Sequence, residues 1–190
     1  MEKRKALLAR LMGGGVLLLL LLQAGCASRQ PDVVQCRMGG RVFFTHSKTD
    51  RSVVVEVEPP LRFSRIVDKV YRGVPIRGYL FTGPDGEVFV TRIELQDFEK
   101  ITGWSLKPKE RPIYKFPPRT IFNQASCHLV RSYTCLLANS VVVAALIKNV
   151  GEAKGECKRW DSLESLASDS PELVSWINQK AKTYIKMRCQ

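Results

Sequence analysis

Residues 78–93 read GYLFTGPDGEVFVTRI. Two β-favouring runs, residues 78–82 and 87–93, flank Gly83-Pro84-Asp85-Gly86. Proline presets φ at the second position of a β-turn and glycine suits the fourth, so the stretch predicts a type I turn closing a β-hairpin. Alternation then sends Val88 and Val90 to one face and Phe89 and Thr91 to the other. One face of such a hairpin packs while the other meets helix or solvent.

Working toward the N-terminus, the pattern stays mostly β from Val33 to Ile101. Residues 41–46 hold Val42, Phe43, Phe44 and Thr45, and a second run, 53–57, is closed by Pro59 and Pro60. Met38-Gly39-Gly40, just ahead of the first run, reads as turn material, and residues 61–72 fit either one strand or a short helix.

Working toward the C-terminus, residues 107–119 change character. They hold Lys107, Lys109, Arg111, Lys115 and Arg119, with Tyr114 and Phe116 interleaved and prolines at 108, 112, 117 and 118. Proline removes ladder donors, so an extended connector is expected. It reads either as a solvated linker or as a basic-aromatic strip that contacts an anionic ligand or a partner protein. From Cys127 the pattern turns helical. Leu136, Leu137, Val141–Val143 and Ala144–Ile147 predict a central core helix, interrupted at Asn139 and Ser140 and ending near Gly151. It is too short to cross a bilayer. A second helix is expected over 161–168. The last begins at Ser170 as N-cap with Pro171 and Glu172 following. It places Leu173, Ile177, Ala181, Tyr184 and Ile185 on one face, with Lys180, Lys182, Lys186 and Arg188 mostly opposite.

The fold class expected is therefore α+β: an N-terminal antiparallel β part packed with a C-terminal helical part in one small domain. The divisions are a leader over 1–25, a tether over 26–34, a β-rich part over 35–106, the Pro/basic connector over 107–119 and the helical part over 120–190.

The leader has its own logic. Lys3, Arg4, Lys5 and Arg10 give a basic front, an apolar run follows from Leu11 to Leu22, and Gln23-Ala24-Gly25-Cys26 closes it. That order reads as a secretory signal peptide. The segment from Leu22 to Cys26 resembles the lipobox of bacterial lipoproteins, with Gln23 standing where an aliphatic residue is usual. The resemblance implies a diacylglyceryl group on the Cys26 thiol, cleavage before Cys26 and acylation of the new amine, palmitate being the expected chain. Ala27, Ser28 and Arg29 follow, without the Asp that favours inner-membrane retention. The resemblance thus implies an outer-membrane anchor facing the periplasm. The alternative is cleavage after Ala27 and a soluble periplasmic protein.

The chain of 190 residues carries 30 basic and 18 acidic groups, a net +12. Removing residues 1–25 takes four basic residues and one acid, leaving a net +9. Such a surface favours anionic partners, which in the envelope means peptidoglycan, lipopolysaccharide phosphates or an acidic protein, with nucleic acid not expected. Beside Cys26 there are Cys36, Cys127, Cys135, Cys157 and Cys189. In an oxidising compartment these imply disulfides. Cys127 and Cys135 on one helix would lie about 12 Å apart, too far to bond. Cys157 with Cys189, bracketing the C-terminal region, is the first-choice pair.

No catalytic set emerges. His46 and His128 are the two histidines. His128 follows Cys127, but helix neighbours point about 100° apart, which argues against a Cys–His couple. There is no Gly-x-Ser-x-Gly, no His-Glu-x-x-His and no short Cys-x-x-Cys. No cofactor and no metal are expected. The sequence supports a non-catalytic envelope lipoprotein serving a secretion, conjugation or pilus assembly. A binding module for an anionic envelope polymer is the alternative, and a periplasmic enzyme ranks third.

Overall fold

The computed structural model describes residues 33–103, 113–151 and 160–190. The hairpin that anchors the sequence reading is present. Strand β5 (Val74–Gly83) turns through Pro84 and Asp85 into β6 (Gly86–Glu94), with Gly83 opposite Gly86 and Gly78 opposite Thr91. Val88 and Val90 are fully buried on one face, and Thr91 on the other donates from Oγ1 to the Arg77 carbonyl at 2.7 Å. The ambiguous segment before it is β4 (Arg62–Tyr71), joined to β5 through Arg72 and Gly73, both at positive φ.

Ahead of β4 stand β1 (Val33–Met38), β2 (Arg41–His46) and β3 (Ser52–Val57). Gly39 at φ 58° makes the expected turn between β1 and β2. Strand β1 starts at Val33, so the tether expected over 26–34 ends two residues early: Val33 is buried and pairs with His46. The rest of the tether lies outside the described residues. After β6, helix α1 (Leu95–Thr102) interrupts the part expected to be β-rich. Its buried residues, Leu95 and Phe98, pack on Leu136 and Val141.

The main correction concerns 120–190. The expected core helix is a second hairpin. Strands β7 (Ile113–Lys115) and β8 (Arg119–Asn123) lead through a 3-10 turn (Gln124–Ser126) to β9 (His128–Leu137), and β9 turns at Ala138-Asn139 into β10 (Ser140–Asn149). Strand β10 lies between β6 and β9 in the interior of the sheet. Val142, Ala144 and Leu146 enter the main core, and Val141 enters the cluster beneath α1. A strand buried on both faces loses its polar alternation, which is why its run of apolar residues imitates a core helix. The expected connector is corrected as well, because β7 and β8 both pair with β9. Pro117 lies just past β7, where a missing ladder donor does no harm.

The two later helices agree with expectation. Helix α2 (Leu163–Asp169) starts at a Ser162–Ser165 capping box. Helix α3 (Pro171–Tyr184) buries Ile177, Ala181 and Tyr184 on one face. It ends at Tyr184, however, and the chain continues as β11 (Ile185–Cys189) paired antiparallel with β3. Ile185, Lys186 and Arg188 therefore belong to a strand, not to the last helix.

The result is α+β with far more β than expected. A four-stranded sheet runs β1-β2-β3-β11, and a seven-stranded sheet runs β4-β5-β6-β10-β9-β7 with β8 also on β9. One core joins them: Val42, Phe44, Val53 and Val55 from the small sheet, Phe81, Val88, Val90 and Leu146 from the large one, and Leu166 and Ile177 from the helices. Because β11 returns the C-terminus to the N-terminal sheet, the two halves make one domain. Among the described residues no helix is long and apolar enough to cross a membrane.

Candidate functional site

Three polar constructions hold the elements in place. Asp85, set at the β5–β6 turn, receives a hydrogen bond from Lys180 Nζ at 2.7 Å and another from the Tyr184 hydroxyl. These partners hold the Asp85 carboxyl below its usual range, Lys180 contributing most and Tyr184 next. The link ties α3 to the large sheet. On the small sheet Glu56 accepts from Arg41 Nε at 2.7 Å and from Arg188 Nη2 at 3.4 Å, while Lys186 donates to Glu58 at 2.6 Å. The Arg41 hydrogen bond is the main reason the Glu56 carboxyl is held down. Between β6 and β10, Arg92 Nη1 donates to Glu94 at 2.9 Å and to Ser140 Oγ at 3.0 Å. These groups join one element to another.

The disulfide differs from the one expected. Cys189 bonds to Cys135, with Cα atoms 6.5 Å apart, and so is not available to Cys157, which lies outside the described residues. The Cys135–Cys189 bond crosses from β9 in the large sheet to β11 in the small one. Beside it Lys115 Nζ donates to the Met187 carbonyl at 3.0 Å. Cys36 and Cys127 are disulfide-bonded too, which removes any thiol nucleophile next to His128. The missed signal was Cys135 itself, which the expected helix from Cys127 to near Gly151 placed in the wrong element.

The candidate strip divides. Lys107, Lys109 and Arg111 lie outside the described residues, as does Cys26. Tyr114 and Phe116 meet edge to face with centroids 4.8 Å apart. Tyr114 is 46% exposed, whereas Phe116 packs partly against the cluster under α1. Lys115 is spent on β11, and Arg119 is exposed at the start of β8. The described half of the strip is thus sheet structure with one open ring.

The large sheet has a more open surface at its other edge. Strand β4 pairs only with β5 among the described residues, and eight of its ten residues are exposed. Register defines its faces beyond the irregularity at Phe63/Arg65. Arg65, Val67, Lys69 and Tyr71 lie opposite Leu80, Gly78, Ile76 and Val74, on the face that carries Phe89; Lys69 Nζ stands 5.3 Å from the Phe89 ring centroid. Ile66, Asp68 and Val70 lie opposite Tyr79, Arg77 and Pro75, on the face that holds the core. Yet Ile66 is 44% and Val70 72% exposed, because the core stops short of them. Arg72 fixes the turn by donating to the Ile101 carbonyl at the end of α1 at 2.8 Å, where a cation suits the helix dipole. Over residues 62–72 Arg62, Arg65, Lys69 and Arg72 stand against one acid, Asp68, which lies on the opposite face from Arg65 and Lys69 and is itself 3.7 Å from Arg77. The sequence carried a signal for this edge, in basic residues spread along a strand rather than gathered among prolines.

Among the described residues no group of three or more His, Cys, Asp or Glu could hold a metal ion. No family model, curated protein or solved structure matches this chain.

Proposed function

We propose that this chain is an exported envelope lipoprotein, anchored through Cys26 in the outer membrane and facing the periplasm, that works by holding a partner in an envelope assembly rather than by catalysis. A secretion, conjugation or pilus apparatus is the class of assembly meant. The observation that carries the reading is the Cys135–Cys189 disulfide joining the two sheets, since such bonds form and persist in oxidising compartments. The lipobox-like leader supports the same compartment. Four carboxylates add to it, since Asp85, Glu56, Glu58 and Glu94 each accept from a cation that binds two parts of the fold together.

Crosslinking in cells that express the anchored protein, followed by purification, tests the reading. A stable set of envelope proteins is expected, and it should diminish when Cys26→Ser releases the anchor. Recovery of no envelope protein under crosslinking would overturn it. A second reading takes an anionic envelope polymer as the partner, supported by the open Tyr114 ring and exposed Arg119 at the C-terminal end of the basic run. Charge reversal at Lys107, Lys109 and Arg111 should then abolish binding to peptidoglycan or lipopolysaccharide; unchanged binding removes that reading.

A further inference from the structure

We propose that β4 is a docking edge for an extended acidic segment of a partner protein, which adds as an eighth strand beside residues 65–71. The inference rests on the reading of this chain as a binding component and names the surface and the partner's chemistry. Three features of β4 converge. First, its outer side presents a row of backbone N–H and C=O groups with no strand beside it among the described residues, and such a row is the template for strand addition. Second, the charge is one-sided: Arg62, Arg65 and Lys69 outnumber Asp68, and Asp68 already faces Arg77 at 3.7 Å. Third, the strand is two-faced, with Arg65 and Lys69 on one side and exposed Ile66 and Val70 on the other.

An added strand has its own period of two. One whose alternate residues are acidic and apolar would set carboxylates beside Arg65 and Lys69 and cover Ile66 and Val70 at the same time. Opposite charges across strands stabilise pairing and like charges oppose it. That disfavours a second copy of this chain as the occupant: antiparallel pairing centred on Val67 would set Arg65 of one copy against Lys69 of the other. An anionic lipid or polysaccharide would engage the charges but leave the backbone row and the apolar pair unused. A polypeptide strand satisfies all three.

The test uses the full-length chain in neutral detergent and a fluorescent ten-residue peptide of alternating Glu and Val. Saturable binding is expected, with new amide-exchange protection over residues 65–71. Methylating every backbone nitrogen of the peptide, which keeps its charges but removes its donors, should weaken binding at least about tenfold. Arg65→Glu with Lys69→Glu should do the same, and a Lys/Val peptide should not bind. The proposal is overturned if no peptide binds, if the methylated form binds equally well, if protection falls elsewhere, or if only anionic phospholipid vesicles bind. Because exchange is read on the wild-type protein, the result does not depend on the folding of a variant. Failure here leaves the crosslinking result untouched, so the two readings fail separately.

Discussion

Asp85 shows how one turn residue serves two elements. Turn chemistry places it between Pro84 and Gly86, and from there it meets Lys180 and Tyr184 on α3. Its carboxyl is held below the ordinary value chiefly by the Lys180 hydrogen bond. A depressed carboxylate stabilises the fold above its unfolded pKa of about 3.9, and that contribution disappears as pH falls through the lower folded value. The wild type should therefore exceed Asp85→Asn in stability by a constant margin above about pH 5, and the margin should shrink as pH drops below about 4. Urea denaturation at a series of pH values measures this; a margin that is flat down to pH 2 contradicts the assigned partners. Gly78 is a second residue with one clear physical reason. A Cβ there would stand 2.5 Å from Phe89 Cζ and 2.6 Å from the Val90 carbonyl oxygen. Gly78→Ala should cost about 1–3 kcal/mol through overpacking, read as a lower urea midpoint with little change in slope.

At the scale of elements, the two central hairpins explain what the sequence could disclose. The β5–β6 hairpin was legible because two β-favouring runs flank a Pro-Asp turn bounded by glycines. The β9–β10 hairpin was not. Its turn is Ala138-Asn139, with Ala138 at φ 52° and no glycine to announce it. The flanking strands are buried on both faces near the turn, Leu136 and Val141 on one side and Cys135, Leu137 and Val142 on the other. Three consecutive β-branched residues, Val141–Val143, favoured a strand, and the break at Asn139-Ser140 was the turn. The same physics hid the candidate edge. Local charge density drew the reading to the prolines of 107–119, whereas the charges of β4 gain meaning only when the register shows them on an open strand. Helices α2 and α3 were legible because their caps and apolar spacing are local. The switch from α3 to β11 was not, since Ile185–Cys189 is drawn into extension by pairing with β3, far away in sequence.

For the whole molecule, the Cys135–Cys189 bond spans 54 residues of sequence and links the two sheets. A crosslink of that span restricts the unfolded chain, and its loss should cost about 2–4 kcal/mol. The double variant Cys135→Ala with Cys189→Ala should melt lower while keeping its far-ultraviolet circular dichroism, because β11 still pairs with β3 and the core remains. An unchanged melting temperature would show that the bond does not form in the mature protein. Such a bond and a net positive chain suit the envelope setting proposed above. The most direct measurement is the mass of the mature N-terminal peptide isolated from the producing cell. The account predicts a chain that begins at Cys26 and carries a diacylglyceryl group with a further acyl chain, lost in Cys26→Ser. A chain beginning at Met1, or at Ser28 without lipid, would contradict the anchor.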